Sequence, residues 1–176
     1  MVNTHSIISI LFVNYSNYPH LIHISILKFC YEKGNLNVQD FATAAHIVSV
    51  ALDIANDAAS YPVEDITKIS PEFRTIGLGY ANVGSWLMRR GVPYNSQEGR
   101  ALVGVLTALM TGTAYETSAE LAERLEPFTH FEFNKRPMLE VMEKHRKGLE
   151  GIVGEFVPKD LMDAARTSWD RAIAKG

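Results

Sequence analysis

The chain is poor in sulfur chemistry, with one cysteine, Cys30, among 176 residues. One thiol cannot form an internal disulfide, and it cannot build a cysteine-rich metal site. A single free thiol fits a reducing compartment, and the expected location is the cytoplasm. Charge of one sign is also lacking: 17 lysines and arginines face 20 aspartates and glutamates, a net −3. No basic tract marks a nucleic-acid surface, so no nucleic-acid partner is expected. No apolar run approaches the roughly 18–20 residues of a membrane span, so no membrane partner is expected either. Ile7–Val13 is too short, and it lacks the basic leader and small-residue cleavage site of a secretory signal. The length suits one domain with a modest core. No repeat and no low-complexity segment interrupts it.

What is present is a glycine-rich stretch, Arg74-Thr75-Ile76-Gly77-Leu78-Gly79-Tyr80-Ala81-Asn82-Val83-Gly84, running into Trp86-Leu87-Met88. Glycine admits positive φ and lets a second backbone or a ligand come close. Such a stretch can cradle a phosphate at a helix N-terminus. It can equally let a helix pack tightly on a strand. The dinucleotide fingerprint wants a third glycine where Asn82 stands, and it wants a buried strand beforehand. Asp65–Phe73 is polar and contains Pro71. Close packing is therefore the favoured reading, and a nicotinamide enzyme rests on Gly77 and Gly79 only.

The same stretch resembles a signature of the adenosylcobalamin-dependent (class II) ribonucleotide reductases, R-x-I/L-G-L-G-Y-A-N-L-G. The likeness continues through Gly91-Val92-Pro93-Tyr94-Asn95-Ser96-Gln97-Glu98-Gly99-Arg100, Leu106–Gly112 and Ala119–Ala122. The Gly-Tyr-Ala-Asn wording separates it from the oxygen-dependent class. The resemblance holds from about Ile24 to Gly176, so residues 24–176 are expected to be part of the reductase barrel domain. Residues 1–23 are expected to be an atypical leader, foreign or mistranslated. Met1–His23 carries no Asp, Glu, Lys or Arg. Counted back from Phe29, the family's C-N-L-A-S-L-N-L-L-K-F places its cysteine at Pro19 and its first asparagine at His20.

Along the chain, Ser6–Val13 could form a short strand and Asn14–Pro19 a turn. Leu21–Phe29 reads as a strand. Asn37 caps a helix over Val38–Ser60, with apolar residues at 41, 44, 45, 48, 51, 52, 55 and 59. Asp40, Asp53 and Asp57 should face water. Ser70-Pro71-Glu72 reads as a helix start leading into the glycine stretch. A helix follows over Ala81–Arg90, with Gly91 at its C′ position. Ser96 caps Gln97–Leu125, in which Ala101–Met110 is apolar all round, as in a helix interior to a larger protein. Asn134 is expected to cap Lys135–Leu149, with Pro137 in the first turn and Glu140–Lys144 as an ion pair. A last helix runs from Pro158 to Lys175. The fold class expected is mainly α: a helical fragment of the family's ten-stranded α/β barrel, with one or two short strands near the N-terminus. From residue 37 onward the body should be all or nearly all helical.

His20 and His23 have H-x-x-H spacing, but zinc needs a further protein ligand and none is near in sequence. His46, His130 and His145 are isolated. No metal site is expected. Cys30 does not match the family cysteine and reads as a small hydrophobe. Tyr80 and Asn82 sit in the signature, where structural hydrogen bonding is the favoured role, so no catalytic residue is assigned.

The resemblance implies cobalamin-initiated thiyl radical chemistry, with two further cysteines as reductant. It also implies adenosylcobalamin as cofactor, a ribonucleotide substrate, and the rest of the barrel as partner. This chain has neither the N-x-C-x-E motif nor the P-T-G-T phosphate segment. No cofactor is expected to bind it alone, and no reduction is expected from it alone. A stand-alone helical binding or regulatory module stays open as the other reading.

Overall fold

The computed structural model describes residues 21–176. Two strands, β1 (Leu21–Ser25) and β2 (Gly77–Ala81), pair in parallel, with Leu21 opposite Gly77 and Ser25 opposite Ala81. A parallel pair needs a long crossover. Here it holds two helices, α1 (Val38–Ala58) and α2 (Glu64–Phe73). After β2 come α3 (Val83–Arg89), α4 (Gln97–Leu125), α5 (Phe131–Gly148) and α6 (Lys159–Lys175).

Helix α4 is the axis of the core, packed between α1 and α6. Leu102, Val105, Leu106 and Leu109 are buried beside Phe41, Val48 and Leu52 of α1 and Leu161, Ala165 and Trp169 of α6. Two neighbouring helices thus cover much of the segment expected to need a larger protein around it. Thr107 on its outer side is exposed. Helix α1 is long and apolar enough to cross a membrane by length and composition, with mean hydropathy 1.2 in its best window. The sequence reading missed this. Its stripe Phe41, Ala45, Val48 and Leu52 is buried against α4, the pattern of a core helix.

The caps explain the boundaries. Asn37 Oδ1 accepts from the Asp40 amide at 3.1 Å, and Ser96 Oγ from the Gly99 amide at 2.9 Å. Gly91 has φ 70°, and its amide donates to Met88 O while that of Val92 reaches Leu87 O. This double closure satisfies carbonyls at the end of α3, with glycine free of the Cβ penalty.

Several expectations are corrected. Gly77–Ala81 is a strand, not a turn between helices, so one of the two strands lies well past residue 37. Helix α3 accordingly starts at Val83, two residues after the expected start. The strand expected over Leu21–Phe29 stops at Ser25 and continues as a 3-10 turn over Ile26–Phe29. Ser70, Pro71 and Glu72 close α2 instead of starting a helix, because Val63 precedes Glu64 and Asp65 in a good acidic first turn. Helix α5 begins at Phe131, so Pro137 is interior, and Asn134 donates its side-chain amide to His130 O instead of capping. Glu140 pairs with Arg136, not Lys144. The proposed strand and turn before Pro19 lie outside the described residues.

Candidate functional site: the glycine strand and the groove behind it

The two strands have two different faces. Ile22 and Ile24 are buried in the helical core, and Leu78 and Tyr80 pack against that core. Alternation puts Leu21, His23 and Ser25 on the other face with Gly77, Gly79 and Ala81. His23 lies opposite Gly79, and its ring covers the glycine: a Cβ there would meet His23 Cδ2 at 2.8 Å. That approach explains the glycine. Gly77 and Gly79 lie within the strand and form no loop into a helix, which removes the dinucleotide fingerprint's geometry.

The other signature residues are occupied structurally. Tyr80 OH and Thr107 Oγ1 share a hydrogen bond of 2.7 Å that ties β2 to α4. Asn82 takes φ 70°, a conformation asparagine tolerates better than most residues, and donates to Ser25 Oγ at 2.9 Å. This bond joins the C-terminal ends of both strands.

Arg74 also has a positive φ, 49°, at the end of α2. Its guanidinium reaches Asp53 Oδ1 at 2.9 Å, Asp57 Oδ1 at 2.5 Å and the Asp53 carbonyl at 3.1 Å. The arginine holds the Asp57 carboxyl below the ordinary carboxylate range by hydrogen bonding, and its own pKa is raised in return. Asp53 and Asp57 are therefore not merely solvated: they anchor α1 to the entry of β2. Asp40 remains exposed and bonds to Asn37 Nδ2.

Behind this clamp a groove of about 790 Å³ runs between α1, α2, α4 and the loop into α5. Leu78, Met110, Ala114, Leu121 and Phe128 line its apolar part. Asp53, Asp57, Arg74 and Glu126 are the charged residues along it. Sequence reasoning missed the groove, because its walls come from segments up to 89 positions apart, such as Ser49 and Met138.

The histidines that look isolated in sequence have partners in space. His46 Nδ1 lies 2.9 Å from Thr117 Oγ1, and His145 stacks on Trp169. His130 Nε2 is 2.9 Å from Glu72 Oε2, with its ring stacked on Phe73. His20 is outside the described residues. Among the described residues no three His, Cys, Asp or Glu side chains are grouped to hold a metal. Cys30 Sγ donates to Ile26 O at 3.3 Å. Burial raises its pKa, while Arg89 and Arg90 pull the other way. It is not a primed thiolate.

A parallel strand pair with helices stacked on one face is an α/β arrangement, and its sites are the strand face and the groove. The family model for the ribonucleotide reductase barrel domain matches residues 14–176, and the chain belongs to that family. A vitamin B12-dependent ribonucleotide reductase of Agrobacterium fabrum is 38% identical over 173 residues, covering 89% of this chain and 14% of its own. One from Rhodopirellula baltica is 40% identical over 157 residues, covering 89% and 15%. Another, from Bradyrhizobium diazoefficiens, is 40% identical over 157 residues, covering 81% and 12%. The chain thus spans about a seventh of the length of the curated relatives it matches.

Proposed function

We propose that this chain is an internal section of the catalytic barrel of a cobalamin-dependent ribonucleotide reductase. The whole protein would make deoxyribonucleotides from ribonucleotides by thiyl radical chemistry, in the cytoplasm, without nucleic-acid or membrane partners. The observation that carries the reading is the two-faced strand pair. Helices cover one face, whereas the other carries Gly77, Gly79 and Ala81 of β2 beside Leu21, His23 and Ser25 of β1. In the intact ten-stranded barrel this small-residue face would look inward, and the helices would form the outer layer. In this reading residues 24–176 are the partial barrel and residues 1–23 an atypical leader, foreign or mistranslated, although the family match begins at residue 14 and Leu21–His23 take part in β1.

The chain by itself is read as inactive. Reduction of a ribonucleotide needs a dithiol that ends as a disulfide, and only Cys30 is present. The described residues do not fit adenosylcobalamin by themselves. Of the groove's charged residues Arg74, Asp53 and Asp57 are tied to one another, and Cys30 Sγ donates to Ile26 O. No step is therefore routed through the cofactor from these residues. The missing barrel sections are the partners that would complete both sites.

The test is a chimera: residues 24–176 replace the matching section of the Agrobacterium enzyme. Cobalamin-dependent deoxynucleotide formation is expected from the chimera and none from the 176-residue chain with adenosylcobalamin and dithiothreitol. A folded but inactive chimera, or turnover by the chain alone that Cys30→Ser abolishes, would overturn the proposal. The independent helical module draws support from the α1–α4–α6 core, which closes largely on itself.

A further inference from the structure

Helix α3 ends in Arg89 and Arg90, and it packs against a 3-10 turn, Glu32–Gly34, that follows β1. The contact centres on Gly34, which is buried with φ 74°. A Cβ there would meet Arg90 Cγ at 2.7 Å and Arg89 Cβ at 3.3 Å. Trp86 Nε1 donates to the Gly34 carbonyl at 2.9 Å, which pins the turn to α3. Lys33 directly precedes Gly34. Three cationic side chains therefore leave from one small patch of backbone.

The charge of this patch is not balanced locally. Residues 28–35 and 83–91 hold four cations, Lys28, Lys33, Arg89 and Arg90, and one carboxylate, Glu32, in a chain whose net charge is −3. Among the described residues Lys33, Arg89 and Arg90 have no carboxylate within ion-pair distance, whereas Arg74, Arg136, Arg146 and Arg171 each hold one. Arg90 leans on Trp86, with its guanidinium 5.8 Å from the ring centroid. Its Nη1 reaches Gly34 O only at 3.4 Å, and its Nε is buried without an acceptor. The guanidinium is held in place with donors unmet. Both arginines pull the pKa of the Cys30 thiol down against its burial, so their charge is felt at the base of the turn. Cations suit the carbonyl end of a helix, which accounts for part of the cluster. Lys33 stands on a different segment and has no such role.

We propose that Lys33, Arg89 and Arg90 form a binding site for a phosphate-class oxyanion, a phosphate or pyrophosphate group. Guanidinium groups pair with such oxygens through parallel N–H bonds, and lysine adds a point charge. The three cations converge on one glycine, which suits a compact polyanion. The carboxylates of an extended acidic peptide would need cations spread along a surface. The proposal does not rest on the reductase reading.

The test titrates pyrophosphate into the dilute 176-residue chain at constant ionic strength. Tryptophan fluorescence follows it, because Trp86 lies under Arg90. Equilibrium dialysis with labelled pyrophosphate counts the sites. One saturable site is expected, for which inorganic phosphate competes. Arg89→Gln and Lys33→Asn, both at exposed positions, should each weaken binding about tenfold with the far-ultraviolet spectrum unchanged. Asparagine tolerates the positive φ of Lys33, 57°. Arg89→Lys should keep more affinity than Arg89→Gln and less than the parent. Arg166→Gln, at an exposed position on α6, should bind like the parent. Absence of a saturable site, or undiminished binding by the folded Arg89→Gln, Lys33→Asn double variant, would overturn the proposal. So would a hexaglutamate peptide that competes as strongly as pyrophosphate, which would make the patch a surface for acidic peptides.

Discussion

Gly112 offers a sharp test of how α4 meets α6. A Cβ at this position would lie 2.4 Å from Ser168 Oγ and 3.0 Å from Trp169 Cδ1 and Nε1. Two terms oppose each other in Gly112→Ala. Alanine is favoured over glycine in a helix by about 1 kcal/mol. Overpacking a tight contact costs about 1–3 kcal/mol. The neighbours decide the balance. Ser168 Oγ can rotate away, but it then leaves Ala165 O, to which it donates at 2.9 Å, a loss of about 1 kcal/mol. Trp169 is 1% exposed, is flanked by Tyr115 and His145, and has nowhere to go. The clash should win, and the variant should be about 1–2 kcal/mol less stable. Gly148→Ala is the control: a Cβ there meets nothing within 4 Å, so only the propensity gain of up to about 1 kcal/mol applies. Urea melts followed by tryptophan fluorescence, at concentrations where the chain is monomeric, give both values. Adding Ser168→Ala to Gly112→Ala should recover part of the loss. If Gly112→Ala is stabilised as much as Gly148→Ala, the helices do not approach as described.

Arg74→Met should destabilise the chain by about 1–2 kcal/mol, since it leaves Asp53 and Asp57 facing each other without their shared cation. The pH dependence follows from Asp57, whose carboxyl is held below its unfolded value by Arg74. A depressed carboxylate stabilises fully above the unfolded pKa of about 4, and the gain is lost as pH falls through the folded value. Denaturant melts below pH 4 should show this loss in the parent and a smaller one in Arg74→Met. Cys30, whose pKa is raised by burial, should react with iodoacetamide more slowly at pH 7.5 than a peptide thiol and at normal speed in urea. Equal rates in the folded and unfolded chain would refute its burial.

The helices were legible because their caps and stripes are local: Asn37, Ser96 and Gly91 act within a few residues of themselves. Strand β2 was harder. Its five residues Gly77–Ala81 have weak strand propensity, and their structure depends on β1, more than 50 positions away. The same remoteness hid the reason for Gly79, since nothing near it in sequence says that His23 will lie over it. Ser70-Pro71-Glu72 misled because a proline suits a first turn and is less often found in a last one. The Arg74 clamp was invisible for a similar reason. Both aspartates sit on the α1 face that periodicity marks as polar, and only the fold brings the arginine to them.

The free edges of the two strands bear on how the chain behaves in solution. Among the described residues, β1 pairs only with β2 and the sheet has two strands, so each strand keeps a free edge. Among the described residues the face away from the helical core carries Leu21, His23, Ser25, Gly77, Gly79 and Ala81, all half-buried except the buried Ser25. Free edges template pairing with other chains. A two-stranded sheet is marginal unless something packs on it, and the helical core supplies that on one side only. At about 25 cal/mol per Å², joining even 200 Å² of apolar surface from two copies would contribute several kcal/mol. The chain should therefore associate as its concentration rises, through the sheet and not through the α1–α4–α6 core. Sedimentation velocity with hydrophobic dye binding checks this. Ala81→Lys puts a charge on the face away from the core and should shift the association to higher concentration while the helical spectrum stays the same. If Ala81→Lys associates as strongly as the parent, the contact lies elsewhere. A parent that stays monomeric and dye-free at high concentration would mean that the sheet face is covered within the chain, which would favour the independent module over the barrel section.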